Sequence, residues 1–369
     1  MADIIIVGGG LAGLINAILL ARHGMEVILF EKNDYPQHRV CGEYISNEVR
    51  PFLIRNGLYP GHLVPNEISQ FTLTSVNGRS SVEKLDLGGF GVSRYALDDY
   101  LFHQAKLAGA SLMLQSPVDS IHRSGERFRV TAGTIDYESK MVIGAHGKRA
   151  KLDGNLGRHF VHKRSPYVGV KYHLTCDYPD GHIALHNFKN GYCGISNVEG
   201  GTTNLCYLTH RDNLKRSGSI EEMEKSILYQ NPFLKDIFAN SEKHFEKPLV
   251  INEVMFEPKP LVEDGVLMCG DSAGMIAPLC GNGMAMAIRS AHMLSTIIVA
   301  HWEKDKPRHH DIQRHYQQAW QSQFAIRLMA GRQIQRMFGS VSLSNVAVMM
   351  MGMPSVARPL IKLTHGDVF

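Results

Sequence analysis

The stretch that most constrains the fold is residues 4–13, which read I-I-I-V-G-G-G-L-A-G. Four apolar residues predict a short buried strand, and Gly8, Gly10 and Gly13 follow it at the spacing G-x-G-x-x-G. A helical run and a second apolar strand come next, and that strand ends in Glu31. In such a unit the glycines permit a tight turn, the approach of a pyrophosphate and close helix–strand packing, while the acid binds ribose hydroxyls. The unit therefore predicts a dinucleotide site rather than a mere strand-to-helix turn, but it does not say which dinucleotide.

Length and composition fit a globular chain of two or three domains. The chain has 369 residues, 44% of them apolar, and a net charge of only +4, so bulk charge does not indicate a nucleic-acid partner. Its 19 histidines are scattered, and no H-E-x-x-H or paired C-x-x-C motif predicts a metal site. We see neither a signal peptide nor a run of roughly 20 apolar residues. The cysteines are therefore expected to be reduced thiols of a cytoplasmic protein, and they are Cys41, Cys176, Cys193, Cys206, Cys269 and Cys280.

A second glycine-rich turn follows the strand predicted at residues 266–269. It begins with Gly270 and Asp271, and after Pro278 it continues through residues 281–283 (G-N-G) into a long helix. A carboxylate at the end of a strand can hold sugar-like hydroxyls. A helix N-terminus can stabilise the negative charge of a reduced flavin ring. Alone, this turn is equally well explained as a tight strand-to-helix connection, but together with the first unit it indicates a flavin dinucleotide.

Segments rich in β-formers interrupt these nucleotide-binding pieces. A hairpin with its turn at Asn77-Gly78 is predicted within residues 66–87, and the alternation over residues 167–208 predicts an antiparallel sheet. We therefore predict a discontinuous nucleotide domain, a β-sheet substrate domain and a helical C-terminal region. Their predicted bounds are residues 1–65, 88–160 and 250–300 for the first, 66–87 and 161–249 for the second, and 301–369 for the third.

The order of these motifs resembles a known family over roughly residues 1–300. The motifs are the first glycine unit with Glu31, R-V-C-G at residues 39–42, Arg94 before a Leu-Asp helix, G-A-H-G at residues 144–147, and Gly270-Asp271 followed by residues 281–283. This order resembles the FAD-dependent oxidoreductases that include para-hydroxybenzoate hydroxylase-type monooxygenases, flavin halogenases and geranylgeranyl reductases. The R-x-C-G segment is most similar to the geranylgeranyl reductase and flavoprotein dehydrogenase branch.

The resemblance implies an α/β fold, a cofactor and a set of site residues. The fold would be a glutathione-reductase-like (Rossmann-type) FAD domain with an inserted antiparallel β-sheet substrate domain and a helical tail. The cofactor would be FAD, with NAD(P)H as a transient electron donor. The implied cofactor-binding residues are Gly8, Gly10, Leu11, Ala12, Gly13, Glu31, Lys32, Arg39, Cys41, Gly42, Arg94, Val118, Gly270, Asp271, Gly281, Asn282, Gly283 and Met284.

The sequence departs from the family pattern in two places. His146 stands where the family's middle motif has an aspartate that is linked to pyrophosphate and NAD(P)H handling. The electron donor is therefore left open, although we favour the alternative that His146 simply fills the space. The W-x-W-x-I-P signature of the halogenases is absent, since Trp302 and Trp320 are the only tryptophans. Halogenation is therefore disfavoured.

Two residues are candidates for catalysis. Cys41 is interpreted either as a proton donor or shape-setting contact at the flavin, or as a small buried apolar residue, and nearby Glu43 could act on it. Tyr192 is interpreted either as a wall of the substrate pocket or as part of the packing within a sheet.

The expected function is that of an FAD-dependent oxidoreductase acting on a hydrophobic small molecule such as an isoprenoid, a quinone-like compound, or an aromatic or polyketide compound. A geranylgeranyl-reductase-like reaction, with hydride transfer through flavin N5, is preferred. The alternatives are an NAD(P)H-dependent monooxygenase that hydroxylates an aromatic ring and a non-catalytic escort protein. The methionine-rich residues 346–353 predict an apolar helix packed on the body or, alternatively, a peripheral membrane contact. The oligomeric state is not predicted.

Overall fold

The structure, a computed structural model, describes residues 1–303, 306–337 and 340–369. In this part of the chain the strands are β1 (Ala2–Val7), β2 (Val27–Phe30), β3 (Tyr44–Ser46), β4 (Asn66–Thr74), β5 (Ser80–Gly91), β6 (Ser111–Met113), β7 (Val118–Ser124), β8 (Arg127–Ala132), β9 (Ile135–Gly144), β10 (Tyr167–Thr175), β11 (His182–Phe188), β12 (Gly191–Asn197), β13 (Thr203–His210), β14 (Glu242–Lys243), β15 (Leu249–Asn252), β16 (Val262–Glu263), β17 (Val266–Met268), β18 (Trp302–Glu303) and β19 (Lys306–Pro307). The α-helices are α1 (Leu11–Arg22), α2 (Arg50–Arg55), α3 (Arg94–Leu107), α4 (Lys151–Asn155), α5 (Arg211–Ser217), α6 (Ile220–Ser226), α7 (Pro232–Ala239), α8 (Gly283–Ala300), α9 (His309–Met337), α10 (Val341–Met351) and α11 (Pro354–Thr364).

The first sheet is built on β1, which pairs in parallel with β2 on one side and with β9 on the other. Its order is β16-β17-β9-β1-β2-β6, and β7 and β8 continue it beside β9. Ile4, Ile5 and Ile6 of β1 are fully buried, as expected of a parallel strand that is covered on both faces. Helix α1 contacts both α3 and α8 on one side of this sheet. Each of its buried leucines and isoleucines contributes about 1.5–3 kcal/mol of burial free energy.

The second sheet has the order β14-β10-β13-β12-β11-β4-β5-β3, with β15 also paired to β10. Its neighbours are antiparallel except for β4 and β11, which are parallel. The hairpin of β4 and β5 turns at residues 75–79, as the Asn-Gly pair predicts. One face of the sheet packs its apolar side chains against α6 and α7. On the other face, Leu185, Tyr192 and Leu208 belong to the same apolar core as residues of the first sheet.

The predicted fold class is confirmed: a Rossmann-type nucleotide domain, a largely antiparallel second sheet and a helical C-terminal region. The exact domain bounds stay a prediction. Strands β3 and β15 pair with the second sheet, although the prediction counts residues 44–46 and 250–252 with the nucleotide domain. Within the predicted C-terminal region, residues 304, 305, 338 and 339 lie outside the described residues.

Within the residues that the structure describes, two apolar helical segments meet the length and composition of a membrane span. One is α8, with 18 residues, of which 56% are buried inside the protein. The other is a bent pair formed by Val341–Met351 and Ser355–Thr364, whose axes differ by 105°. Core helices of globular proteins pass the same criteria, so these segments alone do not establish a membrane contact.

Candidate flavin site

Each glycine of the first motif has a distinct environment. Gly8 ends β1 with a φ of 107°, and a Cβ at this position would collide with the backbone of Ala145. A Cβ on Gly13, in the first turn of α1, would collide with the carbonyl oxygen of Gly8. Among the described residues, a Cβ on Gly10 would meet only Nη2 of Arg94, at 3.7 Å. The first and third glycines therefore serve the protein's own packing, whereas the second leaves open space in front of the N-terminus of α1.

Glu31 organises the loop beside this open space. Its Oε2 accepts a hydrogen bond from the amide of Gly9 at 2.7 Å, and its Oε1 accepts one from the amide of Asn33 at 3.2 Å. Nη2 of Arg39 lies 3.6 Å from the same carboxylate, and its Nε donates to Asp98 at 3.1 Å. That Nη2 is buried and has no hydrogen-bond partner in the described residues. A guanidinium nitrogen in this state fits an additional oxygen ligand.

Arg94 is fixed in the same network. Its Nε and Nη2 each donate to Asp98 at 2.7 Å, which forms a bidentate ion pair within the first turns of α3. Asp98 thus holds both Arg94 and Arg39 beside the glycine loop. The sequence singled out the two arginines but not the carboxylate that orients them.

A single large cavity of about 1330 Å³ extends from this loop to the second sheet. Sixteen of the 18 predicted cofactor-binding residues line it, and so does Tyr192; the two that do not are Gly13 and Asn282. Gly13 serves helix–strand packing, and the buried Asn282 instead donates through Nδ2 to the carbonyl of Thr364 at 3.0 Å. The cavity therefore brings together residues that lie more than 270 positions apart in the chain.

The turn after β17 forms a second wall of the cavity. Gly270 has a φ of 62°, and a Cβ there would approach that of Ala12 in α1 to 2.8 Å. The adjacent Asp271 lines the cavity, and its carbonyl accepts a hydrogen bond from Nζ of Lys259 at 2.8 Å. Burial raises the pKa of the Asp271 carboxyl above its ordinary value, against the effect of nearby Lys259 and Arg94.

These features fit FAD. Open space before a helix N-terminus, a buried carboxylate at the end of the second strand and an unpartnered guanidinium nitrogen suit a ribose and a pyrophosphate. The carboxylate of Asp271, in the second wall of the cavity, suits a ribityl chain. The Gly281–Gly283 turn at the start of α8 suits a flavin ring. Glu31, Arg39, Arg94 and Asp271 would hold the group.

The comparison with protein families decides the assignment. Residues 1–319 match the family described as FAD binding domain. The chain belongs to this family. It is an FAD-dependent oxidoreductase, and its predicted relationship to the para-hydroxybenzoate hydroxylase-like flavoproteins and the geranylgeranyl reductase branch is confirmed.

The chain is also similar in sequence to curated relatives, and its fold is similar to that of solved structures. The chain is 23% identical to conditioned medium factor receptor 1 of Dictyostelium discoideum, over 87% of this chain and 68% of the relative. It is 25% identical to the digeranylgeranylglycerophospholipid reductase of Methanocaldococcus jannaschii, over 78% and 74% of the two chains. The structure superposes on a geranylgeranyl bacteriochlorophyll reductase-like protein of Thermoplasma acidophilum with a TM-score of 0.78 and 17% identity, covering 98% and 94% of the two chains. At this identity the last comparison shows the fold alone.

In this flavoprotein, His146 is tied into a buried ion-pair network. Its Nε2 is hydrogen-bonded to Asp153 at 2.9 Å, and Asp153 also accepts from Nη1 of Arg158 at 2.8 Å. Burial alone would raise the pKa of Asp153, but the hydrogen bond with His146 and that from Arg158 lower it to about 2. The histidine therefore has a hydrogen-bond partner within the protein, and its role toward an electron donor stays a prediction.

Cys41 and Tyr192 face the same cavity. Sγ of Cys41 accepts a hydrogen bond from the amide of Glu43 at 3.5 Å, and its carbonyl accepts one from Nδ2 of Asn204 at 3.2 Å. Burial raises the pKa of the Cys41 thiol. Tyr192 is 3% exposed, and its phenol lies beside the backbone of Leu279, where burial raises its pKa well above the ordinary value. The catalytic roles of both residues stay predictions.

Sequence reasoning missed two lysines near Asp271: Lys148, which lines the cavity, and Lys259, which does not. Lys148 follows the G-A-H-G segment, and its Nζ donates to the carbonyl of Asn252 at 3.3 Å. Lys259 donates to the carbonyl of Lys148 at 2.6 Å. Burial lowers the pKa of each lysine to about 8. Neither belongs to a recognisable motif, and only the fold brings them to Asp271.

Proposed function

We propose that this flavoprotein is a reductase that saturates a carbon–carbon double bond in an apolar, isoprenoid-like small molecule. The observation that carries the proposal is the composition of the cavity beyond the cofactor residues. That part is lined by Phe71, Leu73, Leu85, Ile183 and Leu185 of the second sheet and by Met350, Met351, Leu360 and Ile361 of α10 and α11. An apolar chamber that opens from a flavin site suits a substrate recognised by shape and hydrophobicity rather than by charge.

The relatives support the same substrate class. The archaeal relative named above is, by its name, a reductase of a digeranylgeranylglycerophospholipid. The R-V-C-G segment at residues 39–42 resembles the same branch. A quinone-like or aromatic substrate would also fit an apolar wall, so the substrate identity is the part to be tested.

The chain would contribute a dry, shaped site and a proton. Bound FAD would supply hydride to one alkene carbon. Because burial raises the pKa of Cys41, its Sγ keeps the proton at neutral pH and can give it to the second carbon. The thiolate then regains a proton from water, so the net change in the substrate is one hydride and one proton. Tyr192 and the apolar residues of α10 exclude water from this step.

The proposal includes delivery of the substrate from a lipid surface through the C-terminal helices. Met350 of α10 lines the cavity and is also 36% exposed. Leu343, Val346 and Met349, on the outer side of the same helix, are exposed as well. A helix with one face on the cavity and an exposed apolar face suits the transfer of a water-insoluble molecule.

The decisive experiment follows the mass of the substrate. The purified protein should be yellow; after anaerobic reduction with dithionite it is incubated with isoprenoid lipids, and the products are analysed by mass spectrometry. We expect a gain of two hydrogen atoms per reduced double bond. In a parallel aerobic incubation with NAD(P)H, a gain of one oxygen atom would instead identify a monooxygenase. A colourless protein that still binds the lipid would identify an escort protein.

A cysteine variant tests the proton donor in the same assay. Cys41→Ala should keep the flavin colour but lose at least about tenfold in the rate of product formation, since a positioned general acid contributes about 10²–10⁴-fold. Cys176→Ala is the control, because Cys176 is a free thiol that does not line the cavity. An unchanged rate in Cys41→Ala would remove the thiol from the mechanism.

A further inference from the structure

A buried charged cluster joins the Cys41 turn to the second sheet. The carboxylate of Glu43 is fully buried and accepts hydrogen bonds from the amide of Arg94 at 2.7 Å and from Nε2 of His173 at 2.7 Å. It also forms an ion pair with the ammonium group of Lys171, which is itself fully buried. Lys171 and His173 lie two positions apart on β10 and therefore on the same face of the sheet.

The backbone of Glu43 is held in an unfavourable conformation. Its φ is 54°, in the left-handed region that a glutamate rarely adopts, at a cost of about 1–2 kcal/mol. Its amide donates to Sγ of Cys41, and its carbonyl accepts from the amide of Val92 at 3.2 Å. The side chain and the backbone of one residue therefore both fix the turn that carries the thiol.

Packing alone does not account for this cluster. An apolar side chain would fill the same volume without the desolvation of a carboxylate and an ammonium ion, which costs several kcal/mol per ion before pairing. Glu43 also lines the cavity, so its charge acts where the substrate and the flavin ring would lie. No step of the reaction proposed above assigns a role to this charge.

We infer that Glu43 is a positioning residue for the reacting half of the cavity, where it fixes Cys41 and sets the electrostatic environment of its sulfur. The inference rests on the proposed function only in taking Cys41 as the proton donor. The ion pair with Lys171 and the hydrogen bond from His173 are what keep Glu43 charged and in place.

The groups around the thiol determine the sign of the effect. Arg94 on α3 and Lys171 on β10 are cations near Cys41, and Glu43 is the nearby anion. Cys206 on β13, the cross-strand partner of Lys171, is a second thiol near it. Removing the Glu43 charge leaves the two cations, which stabilise the thiolate. Removing the Lys171 charge leaves Glu43, which destabilises the thiolate.

The experiment is a cycle of three variants, Glu43→Gln, Lys171→Met and the double variant. The alkylation rate of Cys41 by iodoacetamide is measured from pH 6 to 10 by peptide mass spectrometry, in the protein as purified and after removal of flavin. Glu43→Gln should move the midpoint of the Cys41 alkylation profile to lower pH by about one unit. This corresponds to about tenfold faster alkylation at pH 7. Lys171→Met should move the midpoint to higher pH, and the double variant should return toward the wild-type value.

Glu224→Gln is the matched control. Glu224 is another buried carboxylate of the same domain, and it accepts hydrogen bonds from Tyr172 at 2.8 Å and Tyr207 at 2.7 Å. Tyr172 lies on the opposite face of β10 from Lys171 and His173. The control should lower the melting temperature without moving the Cys41 profile.

Two results separate this inference from the proposed function. If Glu43→Gln and Lys171→Met shift the pH profile of Cys41 alkylation no more than the control Glu224→Gln does, Glu43 is only structural and the inference is wrong. If Glu43→Gln fails to fold because Lys171 is left unpaired, the charge-balanced double variant and Lys171→Met alone still give a signed result. A colourless wild-type protein would defeat the proposed function but would leave the alkylation profile fully readable.

Discussion

Gly10 and Gly13 have different surroundings, and this difference distinguishes a glycine needed for cofactor binding from one needed for folding. An alanine at Gly10 would place its methyl group in the cavity, where Arg94 is the only near contact among the described residues. An alanine at Gly13 would collide with the carbonyl of Gly8. We expect Gly10→Ala to weaken FAD binding by at least about tenfold while costing at most about 1 kcal/mol of stability. We expect Gly13→Ala to destabilise the protein by roughly 1–3 kcal/mol.

Bound flavin absorbance and thermal melting of the flavin-free proteins check both expectations. The informative comparison is the stability of the two variants without cofactor. If Gly10→Ala and Gly13→Ala destabilised the flavin-free protein equally, the assignment of Gly10 to cofactor binding and Gly13 to packing would be wrong.

At the same scale, the limits of sequence reasoning are clear from Glu43. The glycine spacing, Glu31 and Asp271 are recognisable because their physical roles impose a local pattern. In the sequence, only its nearness to Cys41 marks Glu43, because its partners Lys171 and His173 lie 128 and 130 positions away. A role for Glu43 can be assigned only in the folded structure, where β10 lies beside the turn that carries Cys41.

Among the secondary-structure elements, α4 shows how one carboxylate can organise a segment. Oδ2 of Asp153 accepts the amide of Ala150 at the start of α4, while Oδ1 binds His146 and Arg158. The folded-state pKa of about 2 lies below the ordinary 3.8, so the ionised form stabilises the fold. By linkage this stabilisation is present above about pH 4 and is lost as the pH falls from about 4 to about 2.

We therefore expect Asp153→Asn to lower the free energy of unfolding at pH 7 by at least about 2 kcal/mol. The difference in free energy of unfolding between the variant and the wild type should narrow below pH 4. Urea unfolding at several pH values measures this difference. Asp136→Asn is the control, because Asp136 is about half exposed. A difference that does not depend on pH would assign the loss to shape rather than charge.

The elements themselves were predictable to different degrees. β1, α1 and the hairpin of β4 and β5 follow from strong local patterns, namely an apolar run with glycines and an Asn-Gly turn. β3 and β15 were not assigned to the second sheet, because short strands take their identity from distant partners rather than from their own alternation. The parallel pairing of β4 with β11 likewise depends on the whole sheet and has no local signature.

For the whole molecule, charge is distributed unevenly along the chain. Residues 312–366 contain no aspartate or glutamate, but they contain six basic residues, Arg314, Arg327, Arg332, Arg336, Arg358 and Lys362. This segment includes α10, whose outer side exposes Leu343, Val346 and Met349. Exposed apolar side chains within a purely cationic segment suit an anionic lipid surface.

The last prediction concerns that surface. The protein should sediment with vesicles of phosphatidylglycerol and much less with phosphatidylcholine, and added salt should weaken the binding because the attraction is partly electrostatic.

Arg358→Glu/Lys362→Glu should reduce binding by at least about tenfold, since each basic residue near an anionic surface contributes about 1 kcal/mol. Val346→Ser/Met349→Ser should weaken binding to both lipids, because it removes the apolar contact but keeps the charge. Leu107→Ser, which alters a still more exposed apolar residue at the end of α3, should leave vesicle binding unchanged. Binding that is the same for all of these variants would show that α10 and α11 only close the cavity and that the substrate enters by another route.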